Sequence, residues 1–463
     1  MFIDLKTIKK VHFIGIKGVA MSGLAVICKQ KGLEVKGSDV PKKFITDKVL
    51  EGAGIEFFSD FAASNLDWQP DLVVVGTSWG VDHVEVVAAK NKEIKIITDS
   101  ELRGTLSLEK KTIAVTGVHG KTTTSALLTH IFKSAGLKPS FLVGTGSVPD
   151  LGSNAAWDEG DYFIVEADEY ARSHEDKTPK FLDLESYISI VTSLEWEHVD
   201  IYENVEALEK VFSQLLEQTA EMSVVCADWP SIKKIILGKK NVVTYGFYQD
   251  NLWQAHNVEQ KDELISFVVS KEGIDLDQFS LKLLGDHNVL NALACIIVSL
   301  KVGIEMEEIR KALVTFSGTE RRSQMSEKNG VIFIDDYGHH PSEVKAILKA
   351  IRSKYQNKKI ICLFQPHMAS RTKALLDDFA DSFSGIDQVF ITDIFTSARE
   401  GVGEVTAQDL VEVVRQKNSQ VAYVGNLQQA LEKIKPLLDA TSVLVTMGAG
   451  DVYLVRDQLV QEL

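Results

Sequence analysis

The sequence is 463 residues long, 45% hydrophobic and 25% charged, with a formal net charge of −15. At roughly 150 residues per domain this length predicts about three domains, and the composition is that of a folded chain with an ample core. The acidic balance excludes a general nucleic-acid binder, which needs a basic face, and no apolar run approaches the roughly 18 residues of a membrane span.

The opening MFIDLKTIKKVHFIGIKG has no apolar core followed by a small-residue cleavage site, and Cys28, Cys226, Cys295 and Cys362 are scattered singly through apolar stretches. Both features predict a cytoplasmic protein with buried, reduced thiols. In the first hundred residues the β-branched runs VHFIG, EVKG, DLVVVG and IKIIT alternate with helical patterns. That alternation is the mark of a parallel sheet with crossover helices. Between the first strand and the first helix lies GIKGVAMSG, in which two residues separate Gly15 from Gly18, so the spacing is not GxGxxG. Asp39 ends the next strand candidate, where an acidic residue commonly meets a ribose. A glycine turn with one acid fits NAD and any other ribose diphosphate equally.

A second series begins at TIAVTG and runs through YFIVEAD, YISIVTS, SVVCAD and VVTYGF. Its first turn, TGVHGKTTT at 116–124, stands between a strand and a helix. Gly117 and Gly120 let the backbone approach a phosphate, Lys121 reaches the β and γ phosphates, and Thr122 offers its oxygen to a metal. Val115 stands where the strict GxxxxGK[ST] pattern has its first glycine. Glu166 ends the run YFIVE, Asp168 and Glu169 follow it, and His198 follows YISIVTS. Carboxylates with a threonine hydroxyl suit Mg²⁺, for which histidine is a less usual ligand. Residues 252–284 alternate and are poor in helix, which predicts an antiparallel insertion, and a helix follows at HNVLNALACIIVSLKVGI.

A third series, VIFIDDYG, KIICLFQP, QVFITDIF and SVLVTMGAG, begins after FSGTERRSQ. DDYGHHP (335–341) and FQPHMASRT (364–372) both follow strands. The adjacent His339 and His340 point apart with no spaced third ligand, so zinc is not expected. An arginine with histidines and a tyrosine at strand ends suits a small carboxylate. The predicted fold class is α/β: three consecutive α/β domains at 1–106, 107–317 and 318–463.

In order and over the full length, these motifs resemble the Mur ligase family. The resemblance implies a Rossmann-like UDP-binding first domain, a P-loop-type ATPase central domain with a small antiparallel insertion, and a Rossmann-like third domain for the incoming amino acid. It assigns Gly15, Gly18, Ser22, Asp39 and Ser78 to the UDP-sugar. Gly117, Val118, His119, Gly120, Lys121, Thr122 and Thr123 become the ATP loop, with Thr122, Glu166 and His198 at the magnesium positions. In GDHNVLNALA it implies that His287, Asn288 and Asn291 face adenine, and it adds Arg322 and Asp336 to the ATP site. Tyr337, His339, His367 and Arg371 would receive the amino acid, and Lys121, Glu166, His198 and His339 would be catalytic.

Within the family the resemblance is strongest to the branch that joins L-alanine to the lactyl carboxylate of UDP-N-acetylmuramate. It implies ATP and Mg²⁺ as cofactors, an acyl phosphate, an early cytoplasmic step of peptidoglycan synthesis, and a monomer or homodimer without nucleic-acid or membrane partners. FQPH with SRT, and DIFTSARE, favour this branch, whereas EADEY, DKTPKF and EHVDIY are equally similar to the recycling branch that adds L-Ala-γ-D-Glu-diaminopimelate. Ser193, Glu197, Ser323 and Met368 depart from the usual pattern, as does SWGVDHVE in the first domain. An NAD-dependent oxidoreductase would leave GKTTT and the third series unexplained, and a non-catalytic nucleotide switch would have no need of a UDP-sugar.

Overall fold

The β-branched runs form three separate sheets in the computed structural model, which describes residues 3–173, 175–261, 263–396 and 403–463. The first sheet has five parallel strands in the order Glu56–Phe58, Glu34–Ser38, Lys10–Ile14, Leu72–Val75, Lys95–Thr98. Strand order reverses on either side of Lys10–Ile14, so a crevice opens at its C-terminal end, where the first glycine turn leads into the helix Val19–Gln30.

The central sheet has ten strands. Its parallel middle runs Val242–Gly246, Met222–Cys226, Ser186–Val191, Lys111–Thr116, Tyr162–Glu166, Ser140–Leu142. Because Lys111–Thr116 lies between Ser186–Val191 and Tyr162–Glu166, three strand ends bring the TGVHGKTTT loop, residues 192–198 and Glu166 to one edge. The antiparallel segment expected at 252–284 continues this same sheet. Trp253–Lys261 joins Val242–Gly246 through Tyr245↔Trp253 and Gly246↔Gln254, and Leu264–Lys271 and Ile274–Leu281 follow antiparallel.

The third sheet runs Gln324–Lys328, Val331–Asp336, Ser442–Met447, Lys359–Phe364, Gln388–Thr392, Val421–Gly425, parallel except for its first strand. The last strand in the chain thus separates Val331–Asp336 from Lys359–Phe364, and DDYGHHP and FQPH leave the same edge on either side of it.

Packing differs between the two seams. Met21, Leu24, Ala25, Leu102 and Leu106 of the first unit share one apolar cluster with Leu142, Ala155, Phe163 and Phe181 of the second. Each large apolar side chain so buried contributes ~1.5–3 kcal/mol. A Cβ at Gly23 would collide with Leu142 Cδ1, so glycine lets this helix approach the central sheet without moving that side chain. The clusters of the third sheet contain no described residue of the first two. Between the helix Met306–Thr315 and the strand Gln324–Lys328, Gly318, Arg321 and Ser323 all take left-handed backbone, at φ 93°, 58° and 49°. All four cysteines are buried and unpaired, and no described helix is long and apolar enough to cross a membrane.

Candidate active site

Side chains and turns from all three units line one cleft of about 470 Å³. Its floor is the turn before the helix Lys121–Ser134, which starts at Gly120 with no side-chain cap. Its first N–H groups are therefore left for an anion. Gly117 and Gly120 have φ 121° and 81°, and a Cβ on Gly120 would stand 2.5 Å from Asn291 Oδ1. Ser193 braces the turn, its Oγ accepting from the His119 N–H at 2.7 Å.

Lys121 Nζ lies 3.0 and 2.9 Å from the two oxygens of Glu169 and donates to the Gly117 carbonyl at 2.7 Å. Burial works against its charge, but Glu169, Asp168 and Glu166 outweigh burial and hold its pKa above the ordinary value. Glu169 also meets His198 Nε2 at 2.9 Å. Asp168 is held down at about 2: burial opposes this, while Lys180, Lys121 and His198 bring it about.

The three expected metal residues divide into two groups. Thr122 Oγ1 donates to Glu166 Oε1 at 3.2 Å, and the Gly144 N–H donates to Glu166 Oε2 at 2.8 Å. His198 instead belongs with Asp168 and Glu169, and one ligand atom from each of these three lies within 4.8 Å of the others. Burial raises the Glu166 pKa in spite of Lys121 nearby, so this carboxylate is short of positive charge. A half-buried carboxylate beside a hydroxyl and the phosphate turn fits a hard cation such as Mg²⁺, which takes its remaining ligands from water and phosphate.

A second cavity of about 180 Å³ opens behind the turn. Gly120, Thr123, His287, Asn288, Asn291, Arg322 and Asp336, which the resemblance assigns to ATP, all line this one cavity. Trp229, Leu283, Ala346 and Ile347 supply apolar walls that no sequence motif marked. Burial pushes His287 down to about 4, so it is neutral, and lifts Asp336 to about 6. His119 lines both cavities. It contacts Glu195 through Nε2 and Glu343 through Nδ1, the latter at 3.0 Å. Burial opposes its charge, yet Glu343 and Glu195 lift its pKa to about 10.

The third unit brings Tyr337, His339, His367 and Arg371 to the cleft together. His339 and His367 have ring centroids 5.8 Å apart, and His339 Nδ1 lies 3.0 Å from the Tyr337 carbonyl. Burial, with Arg371 close by, pushes His339 down to about 4, so its ring is neutral. Arg371 is gripped by Glu197 of the central unit, at 2.8 Å from Nε and 2.7 Å from Nη2. Residues 397–400 of DIFTSARE lie outside the described residues.

Of the residues expected to hold a UDP-sugar, Gly15, Gly18 and Ser78 line the cleft. Ser22 is buried in its helix and donates to the Val19 carbonyl at 2.9 Å. Asp39 is 6% exposed and accepts from the Lys17 and Val40 N–H groups, each at 2.8 Å, so its carboxylate braces the turn itself.

A glycine turn that opens a helix, carboxylates beside it and a second cavity behind it, in a cleft lined by three units, define a nucleotide-dependent enzyme of the three-unit kind. The chain belongs to the Mur ligase family. The family's catalytic-domain model matches residues 10–111, its middle-domain model residues 115–299 and its glutamate-ligase-domain model residues 321–450. UDP-N-acetylmuramate–L-alanine ligase of Caldanaerobacter subterraneus is 36% identical over 469 residues, covering 100% of this chain and 99% of that one. The enzyme of the same name from Desulfitobacterium hafniense is 34% identical over 97% of this chain and 99% of its own length. Among solved structures, UDP-N-acetylmuramate–alanine ligase of Thermotoga maritima superposes with TM-score 0.81 at 25% identity, over 98% of each chain. A murein peptide ligase of Psychrobacter arcticus shares the fold at TM-score 0.72 and 22% identity, also over 98% of each chain.

Proposed function

We propose that this protein joins L-alanine to the lactyl carboxylate of UDP-N-acetylmuramate, with ATP supplying the driving force. The observation that carries this reading is the single cleft into which the first glycine turn, the phosphate turn and the Tyr337–His339–His367–Arg371 group all open. Relatives at 34–36% identity over the whole chain bear the name of that reaction.

The chemistry follows from the residues. A free carboxylate is a poor electrophile, so one of its oxygens first attacks the γ-phosphorus of ATP, ADP leaves, and an acyl phosphate results. Lys121 and the N–H groups at the start of its helix neutralise the phosphoryl group in transfer. Thr122 and Glu166 would hold Mg²⁺, which when bound neutralises phosphate charge. Glu169, itself met by His198 Nε2, holds the Lys121 ammonium in place. On the other side Arg371 takes the carboxylate of the incoming amino acid. Its amine then attacks the acyl carbon, phosphate leaves, and neutral His339 is placed to accept the proton released. His287, Asn288 and Asn291 would face adenine. The cleft is built from one chain, so a monomer or either half of a homodimer would suffice, and the reading places the reaction in the cytoplasm.

The stretch DKTPKF and the shared fold of the murein peptide ligase favour a second reading, in which the amine comes from L-Ala-γ-D-Glu-diaminopimelate. Phosphate release measured with ATP, UDP-N-acetylmuramate and each of L-alanine, glycine, L-serine and that tripeptide separates the two. L-alanine is expected to give at least about tenfold higher kcat/KM than the tripeptide, because an arginine clamp near the acyl carbon suits an α-carboxylate. A better rate with the tripeptide overturns the assignment.

A further inference from the structure

We propose that Glu197 is a positioning residue for the amine site: it fixes the Arg371 guanidinium so that the end of its fork is presented to the substrate carboxylate. This rests on the reading of Arg371 as the holder of that carboxylate. One oxygen, Glu197 Oε1, takes both nitrogens of one edge of the guanidinium, Nε at 2.8 Å and Nη2 at 2.7 Å. On the far side Nη1 lies 3.0 Å from His367 Nδ1. Nη1 also lies 3.5 Å from the His367 carbonyl, a long contact that a ligand oxygen can replace, while the second N–H of Nη2 points to the end of the fork. Arg371 lines the cleft, so that end is where a ligand carboxylate meets it.

A substrate carboxylate could instead displace Glu197, but the surroundings oppose this. The two side chains are only 8% and 6% exposed. Apart from Arg371, Glu197 has a side-chain ion-pair contact with His340 Nε2 at 3.7 Å, beyond hydrogen-bond reach, and burial disfavours the charge on that ring. An unpaired buried carboxylate is costly, so the pair stays and the substrate takes the open end of the fork.

The backbone on both sides is committed to this contact. His198, whose N–H donates to Glu197 Oε1 at 3.1 Å, has φ 54°. Met368, at φ 68°, opens the helix Ala369–Ala374 that carries Arg371, and its carbonyl accepts from Thr372 Oγ1 at 2.8 Å. Left-handed backbone at two non-glycine residues, one close in the chain to each partner of an ion pair, persists only where the surroundings over-determine it. Glu197 and Arg371 are 174 positions apart and belong to different units, so the arginine is aimed only when the third unit is seated on the second.

The test is steady-state kinetics with L-alanine varied at saturating ATP and UDP-N-acetylmuramate, on Glu197→Ala, Glu197→Gln, Arg371→Lys and the Glu197→Ala/Arg371→Lys double variant. Glu197→Ala is expected to raise the KM for L-alanine about tenfold while those for ATP and the UDP-sugar stay within about twofold. Glu197→Gln keeps an acceptor oxygen and is expected to fall between, and it carries the test should the alanine variant fail to fold. In the Arg371→Lys background, Glu197→Ala is expected to add less than about twofold, because it acts through that arginine. Equal damage to all three KM values, full additivity with Arg371→Lys, or a lowered alanine KM would each overturn the proposal. If the unaltered protein uses the tripeptide and ignores alanine, the functional reading fails, and the same comparison on the tripeptide KM still decides the role of Glu197.

Discussion

Replacing Lys121 with methionine removes an ammonium while keeping an unbranched stem, and the structure predicts two separable losses. The first is stability. Glu169 is fully buried, and without Lys121 its carboxylate keeps His198 Nε2 at 2.9 Å but loses contacts at 2.9 and 3.0 Å. Breaking a buried pair from one side costs ~3–5 kcal/mol, and with Lys121 15% exposed the lower end applies. The second loss is chemical. Removing one preorganised donor from the group in transfer costs ~3–4 kcal/mol, or about 10²–10³ in kcat. Lys121→Met/Glu169→Gln removes the orphaned charge, so it should regain most of the stability and none of the rate. Thermal denaturation reads the first quantity, and phosphate release at saturating substrates reads the second. Calorimetric binding of the UDP-sugar should stay near its unaltered value. A single variant retaining more than about a tenth of kcat, or a double variant that recovers rate along with stability, would refute the assignment of Lys121 to the phosphoryl group.

Two further outcomes are expected. Gly120→Ala places a Cβ 2.5 Å from Asn291 Oδ1 at φ 81°, so on top of ~1–2 kcal/mol of backbone strain it must displace a wall of the nucleotide cavity. ATP affinity measured by calorimetry should fall about tenfold or more, and unchanged affinity would remove the turn from the ATP site. The pH dependence of stability should report His119, whose folded-state pKa of about 10 stands above its ordinary 6.5. The contribution is complete below about pH 6.5, where both states hold the proton, and is lost as pH rises through 10. The melting temperature should therefore drop between pH 7 and 10 more steeply than that of His119→Gln, and parallel curves would show that the Glu195 and Glu343 contacts contribute nothing.

Much of this architecture is legible in the sequence because it is local. A strand, a glycine turn with Lys121 and Thr122, and a helix are contiguous, and their spacing encodes their geometry. Period-two alternation likewise marks 252–284 as antiparallel strands. It says nothing of where they dock, which two residue pairs, Tyr245↔Trp253 and Gly246↔Gln254, decide. The partners of the site residues are the illegible part. Lys121 meets Glu169 across 48 positions, His119 meets Glu195 across 76, and Arg371 meets Glu197 across 174. No motif spans such intervals, so a reading by motif finds Arg371 and misses what holds it. Asp39 shows the converse: its position fits a ribose contact, yet its carboxylate is taken up by two backbone N–H groups that sequence cannot see.

The contrast between the two seams has a mechanical consequence. Separating the first unit from the second would expose Leu24, Leu142 and Phe163 to water, so these two halves travel as one body. The second and third units meet at the cleft through Glu195, Glu197 and Glu343 with His119, Ser342 and Arg371, and through the 316–323 linker with its three left-handed residues. Parting them wets charges instead of oil, and salt reaches these contacts unequally: Glu195, 23% exposed, is partly open to screening, whereas the Glu197–Arg371 pair, 6% and 8% exposed, is shielded from it. The joint that carries Arg371 is thus held chiefly by buried charge, and the joint beneath the first glycine turn chiefly by apolar packing with the buried Asp99–Lys180 pair at 3.0 Å added to it, so heat and solvent composition bear on the two joints through different forces.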